Sequence, residues 1–550
     1  MSQVLTGLSG VGKTQLAAAY ARAKLWGDWR LVAWVSAGNA GSLLAGLAAV
    51  ADAAGLSRGR DAAQAGQAVR QLLEADGERC LLVFDDVQDP DLVRPFIPDH
   101  GAAQVLMTTM RRPAADLGPN IRVGVFSEKE ALAFLDGRTG LGEAGAASLA
   151  AELGFLPLAL AQAAAVIAGQ QLGYASYRKL LNVLPSEDYL AQEQEQPYLS
   201  RAAESLVLSL DAARVSDQTG VSSRVMAIMA VLSPAGVRLE LLHATGHTGA
   251  LASDGKRLSE AEVDRSLERL ARLSLLDFSL DGRTVIVHHL AAQVVRKALE
   301  RQGRLTLACR VAAWVLEAHA DAPVAGHDHP APGDLPEQVE ALVESAARLF
   351  DTAGKDMADA LLRLRFLAMS HLAEQGDSAQ AVAFGQRLTA DLERTLGRDN
   401  PGTLRARDCL ASAYHAAGRP MVAIPIFELT LGARERVLGP DHPDTVQSRE
   451  HLAAAYRTTG DVARLIPLAE QILLAQERVL GTDHPRALKA RNNLAQAHRE
   501  AGRAAEAIPL FQQNLTACER LLGPGHPRTI STRNSLALAL REAGGTEQGR

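Results

Sequence analysis

The stretch that decides the reading of the chain is Gly7-Leu-Ser-Gly-Val-Gly12-Lys13-Thr14, GLSGVGKT. It keeps the spacing G-x-x-x-x-G-K-[ST], follows the short apolar run VLT and opens a helical pattern at Lys13. Glycines let successive backbone N–H groups curl around an anion, and the helix start adds positive potential. Gly7, Leu8, Ser9, Gly10, Val11, Gly12, Lys13, Thr14 and Gln15 are therefore expected to cradle phosphates. In this arrangement Lys13 reaches the β/γ oxygens and Thr14 offers its hydroxyl to Mg²⁺.

About seventy residues on, CLLVFDDV runs apolar from Cys80 into Asp85 and Asp86. A strand that buries its body and exposes two carboxylates at its tip suits Mg²⁺ and an attacking water. Asp85 is expected to hold the metal through water, and Asp86 to orient the nucleophile. Between them and the loop lies LVAWVSA, and QVLMTT and IRVGVF follow. This alternation of β-like and helical runs predicts a parallel α/β sheet over 1–125. Strand patterns stop at Ser127, and a helical subdomain is expected over 126–198, ending in the polar stretch EDYLAQEQEQP.

Residues 199–300 read as helical runs closed by two strand-like pieces, LLDFSL and TVIVHHL, across Asp281-Gly282, which suggests a winged-helix module. A helical connector with a Pro/Gly/His loop follows over 301–356. His327 and His329 within it could bind metal, but a solvated loop is the expected reading.

Beyond the connector the chain repeats itself. LGRDNP, LGPDHP, LGTDHP and LGPGHP begin at Leu396, Leu438, Leu480 and Leu522, so Pro401, Pro443, Pro485 and Pro527 recur every 42 residues. Glycines 418, 460, 502 and 544 keep the same period, as do leucines 410, 452, 494 and 536. A helix-turn-helix solenoid is expected over 357–550. Arginines recur in the first helix of each unit (Arg365, Arg407, Arg449, Arg491, Arg533) and glutamates in the second (Glu393, Glu435, Glu477, Glu519). Either each arginine pairs with a neighbouring glutamate to lock unit to unit, or the row forms a cationic groove for acidic or C-terminal peptide groups. Matched periodicity favours the first. His442, His484 and His526 repeat too far apart to share a metal and read as turn residues that cap helices or pack.

Composition narrows the function classes. The 550 residues exceed what a single core organises. Alanine and leucine must fill the cores, since 47% of residues are hydrophobic but only 4% aromatic, so a mainly α multidomain protein is expected. With 57 basic and 63 acidic residues the net charge is −6, which gives no reason to expect nucleic acid or an anionic membrane as partner. The four cysteines, Cys80, Cys309, Cys409 and Cys518, form no Cys-x-x-Cys pair and fit reduced thiols in a cytoplasm. No signal-peptide pattern opens the chain, and its most apolar run, 155–169, is too short to span a bilayer. A substrate-pocket signature for a metabolic kinase is missing, and the winged-helix region lacks a basic cluster suited to DNA phosphates.

Taken in order, the P-loop, AWVSA, LLVFDD, VLMTT-x-R and GFLPLA resemble the NB-ARC type of STAND NTPase, and the 42-residue units resemble kinesin-light-chain tetratricopeptide repeats (TPRs). The combination is similar to bacterial NB-ARC/TPR proteins. That resemblance implies a cytoplasmic ATP/ADP signalling switch with Mg²⁺ and at most slow hydrolysis. It further implies a TPR array that binds a protein or peptide ligand, and homo-oligomerisation in the ATP state. A TPR scaffold with a degenerate nucleotide domain is the alternative. The resemblance also places Pro157 beside base and ribose, Arg111 as the γ-phosphate sensor and His288 against the ADP β-phosphate. The family pattern Thr-Thr-Arg is broken by Met110, so the arginine has slipped by one or is lost, and His289 stands where an aspartate is usual. The family's apolar-Gly-Arg motif and effector domain, which precede the P-loop, are expected to be missing. Weaker and less base-selective nucleotide binding follows from that expectation.

Overall fold

The computed structural model describes residues 2–56, 62–110, 117–142, 144–183, 197–217, 219–251, 256–279, 281–320, 335–347 and 355–547. The chain forms two compact units, Met1–Ala368 and Met369–Arg550.

The first unit opens with β1 (Ser2–Thr6), α1 (Lys13–Leu25), β2 (Leu31–Ser36), α2 (Ala40–Ala53), α3 (Ala62–Asp76), β3 (Cys80–Asp85), the short α4 (Pro90–Val93), β4 (Gln104–Thr109) and β5 (Asn120–Arg122). The strands make one parallel sheet in the order β2-β3-β4-β1-β5. Its central strands are near-continuous apolar runs because both faces are covered. Alternate residues go to opposite sides: Val4, Leu82, Phe84 and Met107 pack with α2 and α3, while Leu5, Leu81, Val83 and Leu106 pack with Ala17 and Ala21 of α1.

Parallel register aligns the strand ends. Thr6 pairs with Thr109 and with Arg122, and Ser36 with Asp85, so every βα loop of the sheet leaves from one edge. The strand expected over IRVGVF stops at Arg122. Its second half turns away because the Phe126 N–H donates to the Phe155 carbonyl, 3.0 Å away, outside the sheet.

Four helices follow: α5 (Glu128–Thr139), α6 (Ala146–Glu152), α7 (Pro157–Gln170) and α8 (Tyr174–Val183). Ser127 and Glu130 close a capping box on α5, and Pro157 occupies the first turn of α7, where its missing N–H costs nothing. Then come α9 (Pro197–Ser216), α10 (Val221–Met229), β6 (Val237–Arg238), α11 (Leu239–His247), α12 (Glu260–Arg272), β7 (Leu276–Phe278), β8 (Thr284–Val287), α13 (His289–Arg301), α14 (Leu305–Ala320) and α15 (Leu335–Ala346). β7 and β8 form the expected antiparallel hairpin, and β6 adds a third strand in the order β6-β8-β7. Two residues are too few to display a period-2 pattern, which is why β6 has no sequence signature. His327 and His329 lie outside the described residues.

Helices α16 (Lys355–Glu374), α17 (Ser378–Thr395), α18 (Pro401–Ala416), α19 (Pro420–Val437), α20 (Pro443–Thr459), α21 (Val462–Leu480), α22 (Pro485–Glu500), α23 (Ala504–Leu522) and α24 (Pro527–Glu547) complete the chain. In the second unit the recurring proline starts each first helix. The residue before it caps the helix: Asn400 accepts from the Gly402 N–H, and Nδ1 of His442, His484 and His526 from the N–H two residues on. Capping is thus the work of the repeating histidines.

Of the two readings of the arginine row, the geometry realises the ladder. Arg407 meets Glu393 at 2.6 Å, Arg449 meets Glu435 at 2.5 Å, Arg533 meets Glu519 at 2.7 Å, and Arg491 pairs with Glu477. Each glutamate lies 14 residues before its arginine, on the preceding helix. In the first unit Arg365 faces Glu340 at 3.8 Å. Arg365, Arg449 and Arg491 are buried, so they do not line a free cationic groove. A second ladder has no counterpart in the sequence reading: Arg436 to Asp399 at 2.8 Å, Arg478 to Asp441 at 2.7 Å, and Arg520 to Asp483 tie each second helix to the turn that precedes its unit's first helix.

Candidate functional site

The glycine-rich loop joins β1 to α1 at the edge where all the strands end. A side chain at Gly7 would lie 2.3 Å from the Val123 carbonyl oxygen, so only glycine fits against the start of the β5 exit. Gly12 is the N-cap of α1 in the left-handed region, φ 94°, and no side chain caps that helix or places an acid in its first turn. The α1 N–H groups therefore point into the loop as uncompensated donors.

Lys13 turns back into this loop. Its Nζ donates to the carbonyls of Gly7 at 3.1 Å and Leu8 at 2.8 Å. Burial lowers its pKa, opposed by the negative charges of Asp86 and Asp85. A buried amine whose hydrogen bonds go to neutral carbonyls is a ready receptor for an anion.

Asp85 and Asp86 stand opposite, and the sheet order explains how. Because β4 lies between β1 and β3, the tip of β4 falls between the glycine loop and the carboxylates. Thr108 there is fully buried. Its Oγ1 donates to Asp85 Oδ1 at 2.5 Å and accepts the Asp86 N–H at 2.8 Å. Thr14 Oγ1 donates to the same Asp85 oxygen at 3.0 Å. Thr109 Oγ1 anchors the following turn through the Val87 carbonyl at 2.7 Å.

Asp86 adopts a left-handed backbone, φ 59°, unusual for a non-glycine residue, and its Oδ1 accepts from Gln88 at 2.7 Å. Burial raises Asp85 despite its hydrogen bonds. Asp86 has an open outer surface, yet the atoms crowding its carboxylate, and next the charge of Asp85, push it up to about 6. Two carboxylates held together at raised pKa fit a hard cation.

Two further segments close on the loop. Leu158 donates its N–H to the Gly10 carbonyl at 3.2 Å, and Leu156 and Leu158 pack against Gly10, which brings half-buried Pro157 beside the glycines. From the three-stranded module, Gln15 Nε2 donates to Asp277 Oδ2 of β7 at 2.9 Å. His288 caps α13 by accepting the Leu290 N–H at 3.3 Å. It retains some open surface but is densely surrounded. Burial, then the charges of His289 and Lys13, lower it to about 4. The coupling to Lys13 places this histidine within electrostatic reach of the phosphate loop.

The structure thus gathers the residues 7–15, Asp85, Asp86, Pro157 and His288 around one edge of the sheet. Arg111 lies outside the described residues; Met110, just before it, is exposed. Thr108, Thr109, Asp277 and Gln88 were not foreseen as members. The dipeptide Thr108-Thr109 at the end of an apolar strand was the available signal, whereas Asp277 has none.

A five-stranded parallel sheet with this loop, an uncapped α1 and paired strand-tip carboxylates defines a P-loop nucleotide-binding fold. The NB-ARC domain model matches residues 3–140, and the tetratricopeptide repeat model matches 405–464, 451–513 and 487–548. The chain is therefore a nucleotide-binding TPR protein, with an NB-ARC domain near its N-terminus and tetratricopeptide repeats at its C-terminal end.

No curated protein matches the chain. Among solved structures it is similar to a STAND protein with a tetratricopeptide repeat sensor from Pyrococcus horikoshii, at 12% identity over 98% of this chain and 84% of that one, TM-score 0.37. It is also similar to kinesin light chain TPR-like repeats from Podosopora anserina, at 27% identity over 34% of this chain and 88% of that one, TM-score 0.32. Among the described residues no helix is long and apolar enough to cross a membrane, and no cluster of three His, Cys, Asp or Glu side chains could hold a metal.

Proposed function

We propose that the chain is a nucleotide-dependent switch of the STAND class whose TPR array binds a protein or peptide ligand. The observation that carries the reading is the contact of the winged-helix module with the phosphate loop: Gln15 bonded to Asp277, and His288 within the field of Lys13. A module touching the phosphate loop can exist in two positions of unequal nucleotide affinity, which a switch requires.

In this reading Lys13 and the N–H groups of 7–15 bind the phosphates of ATP or ADP, and Pro157 packs beside base and ribose. Thr14 and Asp85 hold Mg²⁺, which supplies charge neutralisation at the phosphates. Asp86 orients water for slow resetting, and its pKa near 6 keeps it largely ionised at neutral pH. Arg111 is assigned as the sensor, and His288 as the contact that distinguishes the diphosphate state. The five-part domain division given above, a cytoplasmic location and oligomerisation in the ATP state belong to the same proposal. A scaffold whose nucleotide domain serves only as structure is the second reading, favoured by Met110 in place of the usual arginine.

The test is hydrogen exchange of the full chain with Mg²⁺ and either ADP or a non-hydrolysable ATP analogue. The switch predicts different protection at 276–290 in the two states. Identical protection with both nucleotides bound would favour the scaffold.

A further inference from the structure

The winged-helix module is fastened to the NTPase sheet at a second place, through a helix that belongs to neither. Glu337, in the first turn of α15, accepts two hydroxyls on one oxygen: Ser42 Oγ donates to Oε1 at 2.7 Å and Ser233 Oγ at 2.6 Å. Ser42 lies in the first turn of α2, directly after the end of β2, on the sheet edge that carries the phosphate loop. Ser233 lies between α10 and β6. The neighbouring Gln338 completes the join: its Oε1 accepts the Ser233 N–H at 3.0 Å, and its Nε2 donates to the Gly236 carbonyl at 2.8 Å, just before β6. Ser42, Ser233 and Gln338 are all buried.

This junction is asymmetric. Gln338 bonds Ser233 and Gly236 of the winged-helix module, whereas on the sheet side α15 packs against α2 and Glu337 bonds the Ser42 hydroxyl. Hydrogen bonds to a carboxylate exceed neutral ones in strength, and removing the acceptor takes away the partner of two donated hydroxyl protons, while Ser233 Oγ keeps the Ala235 N–H that it accepts. The Gln15–Asp277 bond fastens the same module to α1, so the module is held to the loop-bearing edge at two separated points.

We infer that Glu337 is a clasp: it locks α15 and the winged-helix module over the phosphate loop, and its release is the step that frees bound nucleotide to exchange. The inference rests on the switch reading above and adds to it the residue that sets the exchange rate. Glu337 acts as a positioning residue through Ser42.

The experiment measures release of N-methylanthraniloyl-ADP from the full chain by stopped-flow fluorescence, together with hydrogen exchange at 39–45 and 233–236. Glu337→Ala is expected to speed release about tenfold. Ser42→Ala, which detaches only the sheet side, should speed it several-fold, and Glu337→Gln, which keeps an acceptor oxygen, should stay near the parent rate. Exchange at 39–45 should rise in both alanine variants. Unchanged release and unchanged exchange in folded Ser42→Ala and Glu337→Ala would overturn the clasp, and if Glu337→Ala does not fold, Ser42→Ala alone decides. If the parent chain binds no nucleotide analogue, the switch reading fails and with it the exchange role, and hydrogen exchange judges the join alone: raised at 39–45 in the alanine variants the join holds α2 to α15, unchanged it falls too.

Discussion

Replacing Thr108 by valine tests whether β4 sets the geometry of the two carboxylates. Valine keeps the shape and removes the oxygen that donates to Asp85 and accepts from the Asp86 amide. A hydrogen bond to a charged acceptor is worth roughly 1.5–3 kcal/mol net, and a neutral one roughly 0.5–1.5, so Thr108→Val should cost about 2–4 kcal/mol. Thr108→Ser retains the hydroxyl and loses one buried methyl, about 1 kcal/mol. The assay follows from the sequence: Trp26, Trp29, Trp34 and Trp314 are the chain's four tryptophans and all lie in the first unit, so their fluorescence in urea reports that unit alone. The Asp86 backbone also loses a restraint on its left-handed conformation, and Mg²⁺-dependent nucleotide binding should weaken more in valine than in serine. A valine variant as stable as the serine variant would refute the reasoning.

Lys13→Met should abolish nucleotide binding in calorimetry while leaving the tryptophan-monitored stability equal or raised, because the buried amine is held at a lowered pKa; a marked loss of stability would contradict this. His288 is neutral in the fold, with a pKa near 4 against 6.5 when unfolded. Its contribution is present in full above pH 6.5 and is lost as the pH falls toward about 4. The gap from 6.5 to 4 sets an upper limit of about 3 kcal/mol, lessened by its partial exposure. His288→Gln should flatten the slope of stability against pH in that window, and an unchanged slope would count against the assignment. In the second unit, Asp408 accepts from Ser448 at 2.7 Å and from His451 at 2.8 Å and lies 3.6 Å from the fully buried Arg434. Asp408→Ala should cost roughly 3–5 kcal/mol by circular dichroism melts, whereas the paired change Asp408→Leu with Arg434→Met should recover most of it; equal losses would refute the buried-pair account.

What could be read from the sequence is what local pattern encodes. VLT, CLLVFD and QVLMTT are apolar because central parallel strands are covered twice, and together with LVAWVS on the edge strand their run lengths mark β1 to β4. The prolines at a strict period of 42 place the first helices of the repeats, and the 14-residue offset from glutamate to arginine anticipates the first ladder. The second ladder escaped notice since its partners stand 37 residues apart in different sequence contexts. Pro425, Pro467 and Pro509 also keep the 42-residue period, yet they sit inside α19, α21 and α23, where a proline rule alone would have ended the helix.

Strand order is a tertiary fact, and the part played by Thr108 depends wholly on β4 lying between β1 and β3. The contacts Gln15–Asp277 and Ser42–Glu337 join residues more than 250 positions apart, and nothing in either neighbourhood marks its partner.

The central claim is that the edge formed by 7–15, Asp85 and Asp86 holds a nucleotide. Denaturing the purified full chain and separating the supernatant by anion-exchange chromatography measures this most directly. Close to one ADP or ATP per chain in the parent, and none in Lys13→Met, is the predicted result. No nucleotide released from the parent, together with no rise in melting temperature on adding Mg²⁺ with ATP or ADP, would contradict it.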